Sequence, residues 1–111
     1  MHVEAPDEAS HKGSFIEKIQ AIEDFDSKIV RPVLDGLRQS GEAFRILVLP
    51  DHPTPLSLKT HSSDPVPFIL YDSGQTPVEP LKQTYCETDA LNTGIHVVHG
   101  WTLMDRLINA Q

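Results

Sequence analysis

The chain has 111 residues, which is enough for one small domain with a modest hydrophobic core. Its apolar fraction of 39% argues against a wholly disordered protein, and its net charge of −7 argues against a nucleic-acid partner, because phosphates need a basic surface. No long apolar run or apolar leader is present, so we expect no membrane partner and a cytoplasmic location. A single cysteine, Cys86, excludes an intrachain disulfide, and we expect it to be an inert thiol.

The first part of the chain has a helical pattern. Ser14 and Glu17 form a capping box, which opens a helix. Apolar residues then recur at helical spacing over residues 15–37. Because Pro32 lies inside this pattern and removes a backbone hydrogen bond, the sequence predicts either a kink or two helices in close succession. Gly41 is expected to end the helical region.

Two short apolar runs in the middle of the chain, at residues 46–49 and 68–71, are typical of buried strands. The segment between them is rich in Pro, Ser, Thr and Asp, and loops of that length are often functional. The remainder is predicted to contain a turn-rich stretch and two helices, at residues 73–80, 88–92 and 101–109. This pattern predicts an α/β fold with a largely parallel sheet.

Asp51 and His52 directly follow the first predicted strand, where ligands bind in open α/β sheets. Asp and His are ligand types that suit zinc or manganese. Neighbours on an extended chain point to opposite sides, so the pair can serve two different ions. Asp7 and His11, at i, i+4 spacing, and His61 can supply further ligands. Two metals about 3.5–4 Å apart form the usual clamp for phosphoryl transfer.

Each of these features also has an ordinary explanation. Asp7 and His11 can be a surface pair at the start of a helix, Asp51 can belong to an Asx-type turn, and a loop histidine such as His61 is usually just solvated. Taken singly, none of them predicts a metal site.

Taken together, three ordered motifs resemble a known family. Residues 5–13 (APDEASHKG), 46–55 (ILVLPDHPTP) and 59–68 (KTHSSDPVPF) are similar to segments of the cofactor-independent (2,3-bisphosphoglycerate-independent) phosphoglycerate mutases, archaeal-type branch, in the alkaline phosphatase superfamily. The resemblance extends from residue 2 to about residue 71, and residues 100–107 are similar to the last helix of the family.

The resemblance implies that residues 1–111 are the C-terminal part of a three-layer, alkaline-phosphatase-like metal-binding domain. The N-terminal nucleophile segment and the substrate-binding domain of the family have no counterpart in this sequence. The complete enzyme would interconvert 2- and 3-phosphoglycerate, a phosphorylated small-molecule substrate, in glycolysis. Because Ser10, Ser62 and Ser63 do not match the nucleophile position, we expect no catalytic residue in this chain and no activity from it alone.

The resemblance also implies two divalent metal ions, manganese or zinc, with magnesium as a third option. Asp7, His11 and His61 match the ligands of one ion, and Asp51 and His52 match part of the ligand set of the other. The opposite-sides geometry of Asp51 and His52 would then have to be relaxed by the turn at Pro53. The chain would therefore hold partial sites, and it could self-associate through an incomplete sheet edge. Two alternatives stay open: a stand-alone metal-binding or regulatory module, and a fragment of a related phosphotransferase or phosphonopyruvate decarboxylase-like enzyme.

Overall fold

The computed structural model describes residues 1–75 and 84–109, which divide into two compact units. The first unit combines Met1–Glu42 with His52–Pro65, and the second combines Ala43–Asp51 with Val66–Gln111. Within the described ranges, no helix has both the length and the apolar character needed to cross a membrane.

Two helices meet at a tight corner in the first unit. Helix α1 spans Ala5–Lys12 and helix α2 spans Phe15–Phe25. Gly13, with a φ of 73°, ends α1 in the left-handed conformation, and the backbone N–H groups of Gly13 and Ser14 close its last turn. The Ser14 hydroxyl then accepts a hydrogen bond from the Glu17 N–H, which confirms the predicted start of α2.

The helical region continues through a change of helix type. A π-helical segment, Asp26–Val30, joins α2 to helix α3, Arg31–Ser40, which ends at Gly41 as predicted. The helical region is continuous over residues 15–40, and the π-helical segment lies just before Pro32, where the lost backbone hydrogen bond is expected to disturb the helix. The choice between the two predicted alternatives, a kink or two helices in close succession, stays a prediction.

The second unit contains a two-stranded sheet. Strand β1, Arg45–Val48, pairs with strand β2, Ile69–Asp72, so that Arg45 lies opposite Asp72. The α/β class is confirmed, but the predicted parallel direction is wrong for this pair, which is antiparallel. The physical reason is the connection over residues 49–68: it contains no helix, and a parallel crossover usually needs one.

Two short helices complete the second unit. Helix α4 spans Glu87–Asn92 and helix α5 spans Thr102–Ile108, close to their predicted bounds. Helix α5 packs against β1, and Leu103 is buried there. The predicted turn-rich stretch at residues 73–80 lies outside the described residues beyond Gln75.

Candidate metal centre

Helix α1 places Asp7 and His11 on one face. They are one helical turn apart, and His11 Nε2 lies 3.2 Å from Asp7 Oδ2. The opposite side of the helix is held by packing: Ala9 and Ser10 are buried, and α1 packs against α2. The two candidate ligands therefore project from a helix whose other side is fixed.

His61 joins this pair from the loop that follows His52. Its Nε2 lies 3.2 Å from His11 Nε2 and 3.5 Å from Asp7 Oδ1. The Ser62 N–H donates to the Pro53 carbonyl, 3.1 Å away, which closes the loop on itself and brings His61 back toward its start. Two residues of α1 and a loop residue 50 positions after His11 thus bring their ligand atoms within 4.8 Å of one another.

The Lys59 main chain fixes the orientation of the His11 ring. His11 Nδ1 lies 2.9 Å from the Lys59 carbonyl oxygen, which can only accept, so a neutral His11 carries its proton on Nδ1. Its Nε2 then directs a lone pair toward Asp7 and His61. Lys59 achieves this with a φ of 54°, a left-handed conformation that is uncommon outside glycine and is often found at functional sites.

Thr54 holds Asp7 in its charged form. Thr54 is buried, and its hydroxyl donates to Asp7 Oδ1 at 2.5 Å. This hydrogen bond lowers the pKa of Asp7 below its ordinary value, against the opposing effect of desolvation and with help from His11 and His61. The cluster therefore contains an anionic carboxylate beside two imidazole nitrogens.

The donor set fits a divalent cation. A tetrahedral zinc ion with bonds of about 2.0–2.1 Å needs ligand atoms about 3.3 Å apart, close to the separations among Asp7, His11 and His61. Asp7 presents a different oxygen to each ring, so ligation through one oxygen would require its carboxylate to turn. Two imidazoles and one carboxylate also leave coordination positions open for substrate or water.

The other two predicted ligands differ in position. His52 lies beside the cluster, since its ring stacks on that of His61 with centroids 3.6 Å apart, and its Nδ1 is 3.3 Å from Thr54 Oγ1. Asp51 is exposed and belongs to the second unit, whereas His52 begins the return segment of the first. The predicted assignment of both residues to one metal ion therefore stays a prediction.

Two groups in this cluster were missed by sequence reasoning. Thr54 had a usable signal in the sequence. It stands between Pro53 and Pro55, which restrict its backbone, and it follows the candidate ligand His52 by two residues. Lys59 had none, because it acts through its main-chain carbonyl, which every residue possesses.

Comparison with known proteins decides the family. The family model of the Metalloenzyme superfamily matches residues 1–106. The chain belongs to the Metalloenzyme superfamily. This family implies binding of divalent metal ions, in agreement with the convergence of Asp7, His11 and His61. No solved structure matches the chain with statistical significance.

Curated relatives confirm the resemblance found in the three motifs. A protein of Methanosarcina barkeri is 47% identical over 111 residues, covering 100% of this chain and 28% of the relative. One of Methanothrix thermoacetophila is 58% identical over 108 residues, covering 97% and 27%, and one of Methanosarcina acetivorans is 63% identical over 94 residues, covering 85% and 23%. All three are named 2,3-bisphosphoglycerate-independent phosphoglycerate mutase, and the chain spans about 28% of the length of the first.

Proposed function

We propose that this chain provides one divalent-metal site, and part of a second, in a phosphoglycerate mutase. Asp7, His11 and His61 would hold the first ion, and Asp51 and His52 would contribute to the second. The observation that carries the proposal is the approach of one carboxylate and two imidazole Nε2 atoms from separate segments. Manganese or zinc suits this mixed oxygen and nitrogen set better than magnesium, which prefers oxygen ligands.

The protein residues would act by electrostatics. A bound divalent ion would neutralise charge on a phosphoryl group during its transfer. Two serine hydroxyls next to the ligands are already engaged: Ser10 donates to the Pro6 carbonyl at 2.6 Å, and Ser62 donates to Asp64 Oδ2 at 2.7 Å. We therefore assign these serines no nucleophilic role, and we place the chain in the metal-binding domain.

The substrate, 2- or 3-phosphoglycerate, and the glycolytic and cytoplasmic setting belong to the same proposal. They are supported by the names of the relatives and by the matched motifs. We expect the metal-loaded 111-residue chain alone not to interconvert the two phosphoglycerates. Conversion of 3-phosphoglycerate by the purified chain with manganese would contradict this part of the proposal while leaving the metal site intact.

The metal site is tested by calorimetric titration of the chain with Mn²⁺ and with Zn²⁺. We expect one tight equivalent, and an affinity lower by more than about 100-fold in His11→Ala and in His61→Ala, because loss of a ligand should exceed the effect of losing a supporting residue. His96→Ala is the matched control, since His96 is exposed in the second unit, and it should bind like the wild type.

Two outcomes would overturn the site. The first is absence of binding by the wild-type chain while its helix content, followed by circular dichroism, is intact. The second is an equal loss of affinity in His96→Ala and His61→Ala, which would indicate binding by exposed histidines in general.

A further inference from the structure

Thr54 contacts two candidate ligands with one hydroxyl. Its Oγ1 lies 2.5 Å from Asp7 Oδ1 and 3.3 Å from His52 Nδ1. The side chain is only 6% exposed, so water does not easily replace either contact. No role follows for Thr54 from the matched motifs, in which it stands between two prolines.

Counting protons gives one consistent set of directions for these two hydrogen bonds. A threonine hydroxyl has one proton to donate, and it can also accept. The ionised Asp7 carboxylate only accepts, so the Thr54 proton lies on the short bond to Asp7. This leaves Thr54 Oγ1 as an acceptor toward His52, an arrangement that favours a neutral His52 with its proton on Nδ1.

This tautomer has a consequence for metal binding. With the proton on Nδ1, the lone pair of His52 lies on Nε2, where a metal ion can be bound. His11 is held in the same tautomer by the Lys59 carbonyl. His52 and His11 thus present the same nitrogen, although His52 is oriented by the Thr54 hydroxyl and His11 by the Lys59 carbonyl.

The backbone of Thr54 is itself held in place. Its carbonyl accepts a hydrogen bond from Lys18 Nζ on α2 at 2.9 Å. Pro53 and Pro55 restrict the backbone on either side. The hydroxyl is therefore positioned before any ligand arrives, as a supporting group for metal ligands needs to be.

We propose that Thr54 is a positioning residue that couples the two candidate metal sites, orienting Asp7 of one and setting the tautomer of His52 of the other. The inference deepens the proposed function and rests on it for the identity of the ligands. A threonine that only fills space would produce the same burial, but it would not determine which nitrogen of His52 carries the proton.

The first test reads the tautomer in the metal-free chain. The ¹⁵N chemical shifts of the His52 ring report the proton position, and we expect Nδ1–H in the wild type and in Thr54→Ser. Thr54→Val, which keeps the shape without the hydroxyl, should shift His52 toward the Nε2–H tautomer. Thr60→Val, at an exposed threonine of the same loop, is the control and should leave the His52 spectrum unchanged.

The second test measures Mn²⁺ and Zn²⁺ affinity. We expect Thr54→Val to weaken binding by about 10–100-fold, as for other partners of metal ligands, and Thr54→Ser to restore most of it. An unchanged His52 tautomer in Thr54→Val, or equal affinities in Thr54→Val and the wild type, would overturn the proposal. Failure of the wild type to bind metal would instead overturn the proposed function, since the tautomer test needs no metal.

Discussion

One cluster of charged and polar groups in each unit can be compared, and the two are arranged in opposite ways. In the second unit, Arg45 Nε donates to Asp72 Oδ2 at 2.7 Å across the strand pair, so each charge has a partner of opposite sign. In the first unit, Asp7 faces the imidazole nitrogens of His11 and His61, and the nitrogens face each other at 3.2 Å. Lone pairs on two nitrogen atoms at this distance repel each other, so a proton or a cation must lie between them.

The difference indicates what each arrangement is for. An opposite-charge pair across two strands fixes the strand register and needs nothing further. A carboxylate and two imidazole nitrogens this close need a shared proton or a bound cation, and surrounding structure holds them together. Here that structure is the Thr54 hydroxyl, the Lys59 carbonyl and the Gly13 turn.

The comparison predicts first that metal stabilises one unit and not the other. At a free Zn²⁺ concentration of 100 times Kd, binding should stabilise the first unit by about 2.7 kcal/mol. Hydrogen exchange followed by mass spectrometry should then show slower exchange in α1 and in residues 52–61, with little change in β1 and β2. His61→Ala should abolish the effect, and equal slowing in both strands would contradict it.

A cavity made in the second unit should lower the free energy of unfolding and leave the Zn²⁺ affinity unchanged. Leu103 is 3% exposed, and Leu103→Ala should cost about 2 kcal/mol, the low end of the range for a buried leucine, because Met104 and Ile108 of the same helix are largely exposed. Urea denaturation measures the loss. Leu91→Ala, at a leucine that is 80% exposed, should stay within about 0.5 kcal/mol of the wild type. A loss of Zn²⁺ affinity in Leu103→Ala would contradict the expectation that the metal acts on the first unit alone.

Much of the fold could be predicted from the sequence because it depends on local rules. Ser14 and Gly41 mark helix ends by hydrogen bonding and by a left-handed φ, which neighbouring residues encode. The direction of β2 relative to β1 depends on the path of a long loop, which the apolar pattern of the strands does not contain. The pattern also predicts apolar helix faces, but Phe15 is 65% exposed, because periodicity does not say what covers a face.

The candidate site was predictable to a similar degree. The i, i+4 spacing brings Asp7 to His11, and the motif resemblance adds His61, which the structure places with them. The supporting groups were not predictable, because they depend on long-range geometry: Lys59 acts through its carbonyl, and Thr54 acts through a contact across 47 positions of the sequence.

Alanine substitutions at Gly13 and Gly41 distinguish a loss of folding stability from a loss of Zn²⁺ affinity. Gly13 and Gly41 both have a left-handed φ, of 73° and 72°, so alanine should cost about 1 kcal/mol of folding stability at either position. Only at Gly13 would the new methyl group meet the Lys59 side chain, whereas at Gly41 nothing lies within 4 Å. Thermal denaturation should show similar losses, and calorimetry should show weaker Zn²⁺ binding for Gly13→Ala alone. Equal Zn²⁺ affinity in the two variants would contradict the role of Lys59 in supporting the metal ligands.

The smallest effect is expected from acid titration of the strand pair. Hydrogen bonds from Arg45 and from the Gly74 N–H hold the pKa of Asp72 below its ordinary value of 3.8. A carboxyl group with a lowered folded-state pKa contributes stability that is fully present above its unfolded-state pKa and is lost as pH falls through the folded-state pKa. Asp72→Asn should therefore lower the thermal midpoint at neutral pH and flatten its decline on acidification.

Asp105→Asn, which makes the same charge change elsewhere in the second unit, is the control, and it should keep the wild-type decline below pH 3.8. Because the Arg45–Asp72 pair is complete without a ligand, the difference between Asp72→Asn and the wild type should be the same with Zn²⁺ and with a chelator. If Zn²⁺ changed that difference, the charges of the second unit would also respond to the metal, and the contrast between a self-sufficient ion pair and a cation-binding cluster would fail.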